Sequence, residues 1–152
     1  ESQLDRFMVC LSMGYPSHAD AVAILKGNAG KPLSKVQEVI SMEEVLALRA
    51  MTNALYVKDE IYEYIVNLVE ATRTMEIFSM GASPRGTIAL LRMAKAMAVI
   101  DGRDYVCAKD VQDVARDVLG HRVKLSARGK AQGITMQQAI GMVIANVTAP
   151  RV

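Results

Sequence analysis

Apolar residues recur along this chain at helical spacing, and most of these stretches open with a residue able to cap a helix. Val45, Leu48, Thr52 and Leu55 follow that spacing, as do Ile61, Ile65, Leu68 and Val69. Ile88, Leu91 and Ala94 line a third segment. Val111, Val114, Ala115 and Val118 line a fourth, and Ile140, Val143, Ile144 and Val147 a last one. Ser17 with Asp20, Ser41 with Glu44 and Thr135 with Gln138 each match the capping box. In that motif a hydroxyl and an acid or amide three residues on satisfy free backbone N–H groups. Ser83-Pro84 is another start, with serine as cap and proline suited to the first helical position. The pattern predicts helices over 17–27, 41–55, 58–74, 83–101, 108–119 and 135–147. Gly27, Gly102 and Gly120 stand near three of their ends, where glycine accepts a left-handed backbone.

The intervening segments read differently. Residues 28–40 contain Gly30 and Pro32 and form a loop, within which 36–40 is apolar enough for a short strand. Residues 122–125 alternate weakly and are its expected partner. Residues 74–82 read as a loop that includes Gly81, and 1–16 as a tail without a helix of its own. The expected fold is all-α, a compact helical bundle, with room for one short two-stranded β element.

Composition narrows the class. At 152 residues the chain is one domain in length, and aromatics at 5% with ten methionines and no tryptophan favour helix over sheet. Lys and Arg total 18 against 16 Asp and Glu, a net charge of +2, which removes the large basic excess of a nucleic-acid binder. Cys10, Cys107, His18 and His121 are too scattered for a zinc site, so no metal site is expected. Two cysteines fit a reducing compartment better than a disulfide scaffold. The best candidate for a membrane span, 140–147, is eight residues long and includes Asn146, far short of the ~18 needed. No signal-peptide pattern is present. A chain beginning at Glu1 is expected to be a piece of a longer one.

Little in the chain suggests a self-contained catalyst. Gly30-Lys31 lacks the upstream glycine of a phosphate loop and is followed by Pro32. Gly129-Lys130 fails similarly, with Lys124 in the first glycine position and Ala131 in the last. Asp59-Glu60 reads as an acidic first turn, His18 as a solvent-facing residue, and His121 as a cation just past a helix end. Cys107 reads as a small buried residue at a helix cap. The most specific feature is Gly81-Ala82-Ser83-Pro84-Arg85. It sets an arginine in the first turn of a strongly capped helix, where a cation is locally unfavourable and an external anion resolves the conflict. Such a turn is suited to clamp phosphate, the alternative being a plain solvated arginine. Arg92 and Lys95 lie further along roughly the same side.

These residues, with Ala89-Leu90-Leu91-Arg92 and Asp101-Gly102-Arg103-Asp104-Tyr105-Val106, resemble the sensor-2 helix and following turn of the MoxR family of AAA+ ATPases. Glu1-Ser2-Gln3-Leu4-Asp5-Arg6-Phe7 is similar to that family's segment just after sensor 1, and Gly14-Tyr15-Pro16-Ser17 to its crossing into the lid. Tyr64-Ile65-Val66, Thr72-Arg73 and Leu119-Gly120-His121-Arg122 also fit, so the likeness spreads over essentially the whole chain. Cys107-Ala108 departs from the usual Thr-Pro-like helix start, which touches capping and not nucleotide chemistry.

The resemblance implies that 1–16 is the tail of the large ATPase domain with its linker, and that 17–152 is the helical lid. Walker A, Walker B and sensor 1 would precede Glu1. It further implies ATP hydrolysis with Mg2+ in the full-length protein, in a cytoplasmic ring of identical subunits (a hexamer) with a chaperone-like role. Von Willebrand factor A domain proteins or client complexes would be partners, with no nucleic acid and no membrane insertion. Arg85 takes the place of sensor 2, toward the nucleotide of its own subunit. Arg6 takes that of the arginine finger, reaching the neighbour's nucleotide, and Tyr15 lies where an aromatic packs near adenine or ribose, or else in a core. The chain alone is expected to be inactive and to hold neither ATP nor Mg2+ tightly. The alternatives are the lid of a magnesium chelatase-type ATPase subunit, or a helical protein-interaction module with no nucleotide role.

Overall fold

The computed structural model describes residues 3–27 and 37–151. Every predicted helix forms: α1 (His18–Leu25), α2 (Met42–Ala54), α3 (Asp59–Thr74), α4 (Pro84–Ile100), α5 (Ala108–Leu119) and α7 (Met136–Asn146). The caps are those the sequence announces. Ser17 accepts from the Asp20 N–H, and full capping boxes join Ser41 to Glu44 and Thr135 to Gln138. Gly27 and Gly102 do take positive φ, 71° and 72°. Gly120 does not: its φ is −56°. There the Arg116 carbonyl lies 2.8 Å from where a Cβ would sit, so glycine serves close approach, not handedness.

Two elements differ from expectation. A short helix, α6 (Ala127–Ala131), follows the Ser126 cap, whose hydroxyl accepts from Gly129 N–H. The β element exists, but β2 (Lys124–Leu125) pairs antiparallel with β1 (Phe78–Met80), with Phe78 opposite Leu125 and Met80 opposite Lys124. The expected partner does not form: 37–40 carry no strand, and Val36 lies outside the described residues. β1 falls inside the stretch read as loop. Phe78 is buried, and Ser126 N–H donates to the Ile77 carbonyl at 2.8 Å, so the chain leaving α3 and the chain entering α6 zip together.

The core sits among α3, α4, α5 and α7. Ile61, Leu68, Leu90, Val111, Val118, Leu119, Ile140 and Val143 are wholly buried. The most extensive helix contact joins α4 to α5. It is close because α4 presents small residues, Gly86, Ala89, Ala94 and Ala98, on its buried face. α1 and α2 bury no residue, although α2 lies against α4. No helix among the described residues is long and apolar enough to cross a membrane.

The α4–α5 turn is pinned by an ion pair between a half-buried arginine and a buried aspartate. Asp110, at the third position of α5, accepts from both terminal nitrogens of Arg103 and from the Cys107 N–H at 2.8 Å. Cys107 is half-buried at the cap. Burial pushes the Asp110 carboxyl up, but the bonds from Arg103 and Cys107 outweigh it and hold it below the ordinary carboxylate range. Arg103 is raised in turn, chiefly by Asp110 and then by Asp101. The lowered value fixes the sign of the pH dependence. This contribution to stability is complete above the unfolded carboxylate value of about 3.9 and disappears as pH falls through the depressed folded value. Thermal melts from pH 7 to pH 3 are expected to show a smaller loss for Asp110→Asn than for the wild type. The variant starts less stable at pH 7, and equal slopes would refute the assignment.

Candidate functional site

The Gly81–Arg85 segment is built by α3. Thr72, wholly buried, donates its hydroxyl to the Val69 carbonyl and accepts from the Ala82 N–H at 3.0 Å. Arg73 Nε donates to the Ala82 carbonyl at 2.9 Å. The loop therefore lies flat on the end of α3, and only glycine fits at 81. A Cβ there would stand 2.5 Å from Arg73 Cγ and 2.8 Å from both Arg73 Cα and the Thr72 oxygen. Two of those atoms are backbone and cannot step aside. Gly81→Ala is expected to cost about 1–3 kcal/mol, as overpacking does, read as a lowered urea midpoint with unchanged m.

From this platform α4 starts. Ser83 Oγ accepts from the Arg85 N–H at 3.2 Å, Pro84 occupies the first position, and Arg85 projects from the first turn. Its side chain is exposed and has no hydrogen-bond or ion-pair partner among the described residues.

Arg6 arrives from the other end of the chain. The segment 3–10 contains a single 3₁₀ turn, Leu4–Arg6, and lies as a strap across α4 and the end of α5. Arg122 holds it. That side chain is 2% exposed, and it donates to the carbonyls of Asp5 (3.2 Å), Met8 (3.1 Å), Phe7 and Val118. Its Nε lies 3.2 Å from the Asp5 carboxylate. Burial pulls Arg122 below the usual guanidinium range, and Asp5 partly restores it. His121 Nε2 lies 3.0 Å from the Phe7 carbonyl, so the residue just past the end of α5 is part of this clasp.

The outcome is one open cleft of about 310 Å³ lined by Asp5, Arg6, Met8, Arg85, Ile88, Ala89, Arg92 and Arg122. Arg6 and Arg85, 79 positions apart in sequence, meet there. Arg92, two turns beyond Arg85 on the same face of α4, joins them. The only acid in the lining among the described residues, Asp5, is already engaged by Arg122 and by the Ser83 hydroxyl, which donates to it at 2.8 Å. Arg6, Arg85 and Arg92 are exposed cations facing a common space, none of them ion-paired among the described residues. That arrangement suits a multiply charged anion with several acceptor oxygens.

Tyr15 is not in this cleft. It is fully exposed, one residue past Gly14 (φ 68°), in a stretch, 11–17, whose residues are all exposed. The core reading of Tyr15 therefore does not hold within the described residues. Asp5 and Arg122 escaped the sequence reading as site residues. Each lies in a stretch that resembles the family, Leu4–Phe7 and Leu119–Arg122, but nothing local in the sequence marks either as a site residue.

Residues 70–140, from the end of α3 into α7, match the family described as AAA lid domain. The chain is 36% identical over 151 residues to "Uncharacterized protein YeaC" of Bacillus subtilis, covering 99% of this chain and 47% of the relative. It is 32% identical over 161 residues to "Chaperone MoxR1" of Mycobacterium tuberculosis, covering 100% of this chain and 42% of the relative. A solved structure described as a "putative ATPase" from Cytophaga hutchinsonii superposes with a TM-score of 0.81 at 31% identity, over 99% of this chain and 48% of that one. The chain carries the AAA lid domain of MoxR-like proteins. It spans about half the length of the curated relatives it matches. Within the lid match fall Arg85, Arg92 and Arg122; Arg6, Asp5 and Tyr15 precede it. The site is thus shared between the lid proper and the strap that clasps it.

Proposed function

We propose that the arginine cleft receives the terminal phosphates of ATP in the full-length protein, and that this chain is the lid of a MoxR-type AAA+ ATPase. The observation that carries this is the convergence of Arg6, Arg85 and Arg92, unpartnered among the described residues, on one cleft at a capped helix start. Arg85 is the sensor-2 residue. It bonds the phosphate lost on hydrolysis, so α4 and the lid behind it feel the nucleotide state. Arg6 is the arginine finger, stabilising charge on the transferred phosphoryl group. Residues 1–16 close the large domain, 17–152 form the lid, and Tyr15 at the crossing is free to meet adenine or ribose. Binding of Mg2+ and the triphosphate rests on Walker elements of the large domain. The assembly is a cytoplasmic ring of identical subunits that remodels or matures protein complexes, with von Willebrand factor A domain proteins among its partners.

One observation favours a second arrangement of the same parts. The resemblance assigns Arg85 to the subunit's own nucleotide and Arg6 to the neighbour's, yet both line a single cleft of one chain. A shared cleft favours a shared anion, with both arginines serving the same nucleotide.

Isothermal titration with Mg·ATP tests the proposal. The 152-residue chain is expected to show no tight binding and no hydrolysis, and the full-length protein to show both. Micromolar binding by the short chain would overturn the division of labour between lid and large domain.

A further inference from the structure

The strap that carries Arg6 has almost no apolar hold at its leading end. None of Leu4, Asp5 or Arg6 is buried, and Leu4 and Phe7 are 55% and 63% exposed. Its trailing end is anchored by Val9, packed on the core, and by Cys10 N–H, which donates to the Asp117 carbonyl at 2.9 Å. The end that carries Arg6 is held chiefly by polar bonds. Arg122 grips three strap carbonyls from below. Asp5, the residue beside Arg6, reaches the Ser83 hydroxyl, and that same hydroxyl accepts from the backbone N–H of Arg85. Two consecutive hydrogen bonds thus connect the neighbour of one arginine to the backbone of the other. A hydroxyl can serve this way because it donates once and accepts at its lone pairs.

We propose that Asp5, Ser83 and Arg122 form a latch that fixes Arg6 relative to Arg85, so that the strap and the start of α4 move as one body. These are positioning residues. The purpose of the latch rests on the phosphate reading of the cleft, whereas its mechanics rest on the contacts alone. By joining the two arginines it presents a preorganised pair to an incoming anion. By linkage, an anion bridging the pair tightens the strap. A role for Asp5 as a mere counter-charge makes the opposite forecast for affinity. Removing the cleft's one carboxylate would then strengthen anion binding, because like charge is taken away.

Amide hydrogen exchange on the 152-residue chain reads the latch directly. Ser83→Asp keeps a first-rank helix cap but sets a carboxylate against Asp5. Ser83→Asn is isosteric with Ser83→Asp, also caps, and retains a donor toward Asp5. Ser83→Asp is expected to speed exchange at the Phe7 amide by about tenfold, as local opening does, with the amides of α3 and α5 unchanged; Ser83→Asn is expected to stay near wild type. Unchanged Phe7 exchange in Ser83→Asp, or equal loosening in Ser83→Asn, would overturn the latch. Titration with inorganic tripolyphosphate separates the two ideas. Weaker binding by Asp5→Asn than by the wild type supports positioning, and tighter binding overturns it. No tripolyphosphate binding by the wild type, with a strap still loosened by Ser83→Asp, would sink the phosphate reading while the latch stands.

Discussion

Arg85→Ala in the full-length protein is expected to cut ATP hydrolysis by about 10²–10³-fold, the loss seen when one preorganised donor to developing charge is removed. The fold should not notice. The Arg85 side chain is exposed and bonds to nothing among the described residues, and the cap depends on the Ser83 hydroxyl and the Arg85 backbone N–H, which alanine retains. Substitutions of this kind at a surface position stay within about 0.5 kcal/mol. Helical circular dichroism and the melting temperature of the isolated lid should therefore match the wild type while turnover collapses. Arg85→Lys keeps the charge but not the planar fork, and intermediate turnover is expected. Normal turnover in a folded Arg85→Ala protein would remove Arg85 from the mechanism.

Arg85 was readable in the sequence because its signal is local. A serine, a proline and an unopposed cation within three positions state a cap and an electrostatic conflict together. The helix starts were readable for the same reason, since each capping box closes within four residues. What could not be read has partners far away. Arg122 reaches carbonyls at positions 5, 7 and 8, and nothing near it in sequence distinguishes a buried arginine from a solvated one. β1 was hidden because three residues, Phe78-Ser79-Met80, show no alternation long enough to count, while the apolar stretch at 36–40 looked more like a strand. α6 was hidden by its length and composition. Ala-Arg-Gly-Lys-Ala has no apolar stripe, and its glycine stands 2.9 Å from the Ile77 oxygen at the place where a Cβ would go. Arg6 became visible only through the family resemblance, because a lone arginine in a tail with no helix of its own carries no physical signature.

That difference in warrant makes Arg6 the sharper test. Arg6→Ala is expected to leave ATP binding by single subunits nearly unchanged and to lower hydrolysis by about 10³–10⁵-fold, the range for an arginine supplied to a transferring phosphoryl group. Like Arg85, Arg6 is exposed and unpartnered among the described residues, so its loss should not disturb the strap, which Arg122 holds through backbone carbonyls. Mixing then assigns the arginine to its nucleotide. If the finger acts in trans, an Arg6→Ala subunit placed beside wild-type subunits is rescued, because it keeps its own Arg85 and the missing finger comes from a neighbour. Rings without rescue would rule out the trans role. Two inactive variants combined decide between the arrangements of the cleft. If Arg85 serves its own subunit and Arg6 the next, an Arg6→Ala subunit supplies Arg85 while an adjacent Arg85→Ala subunit supplies Arg6, and activity returns. If the two arginines of one chain serve a single nucleotide, as their common cleft favours, no junction in such a ring holds both groups and activity stays at the level of either variant alone.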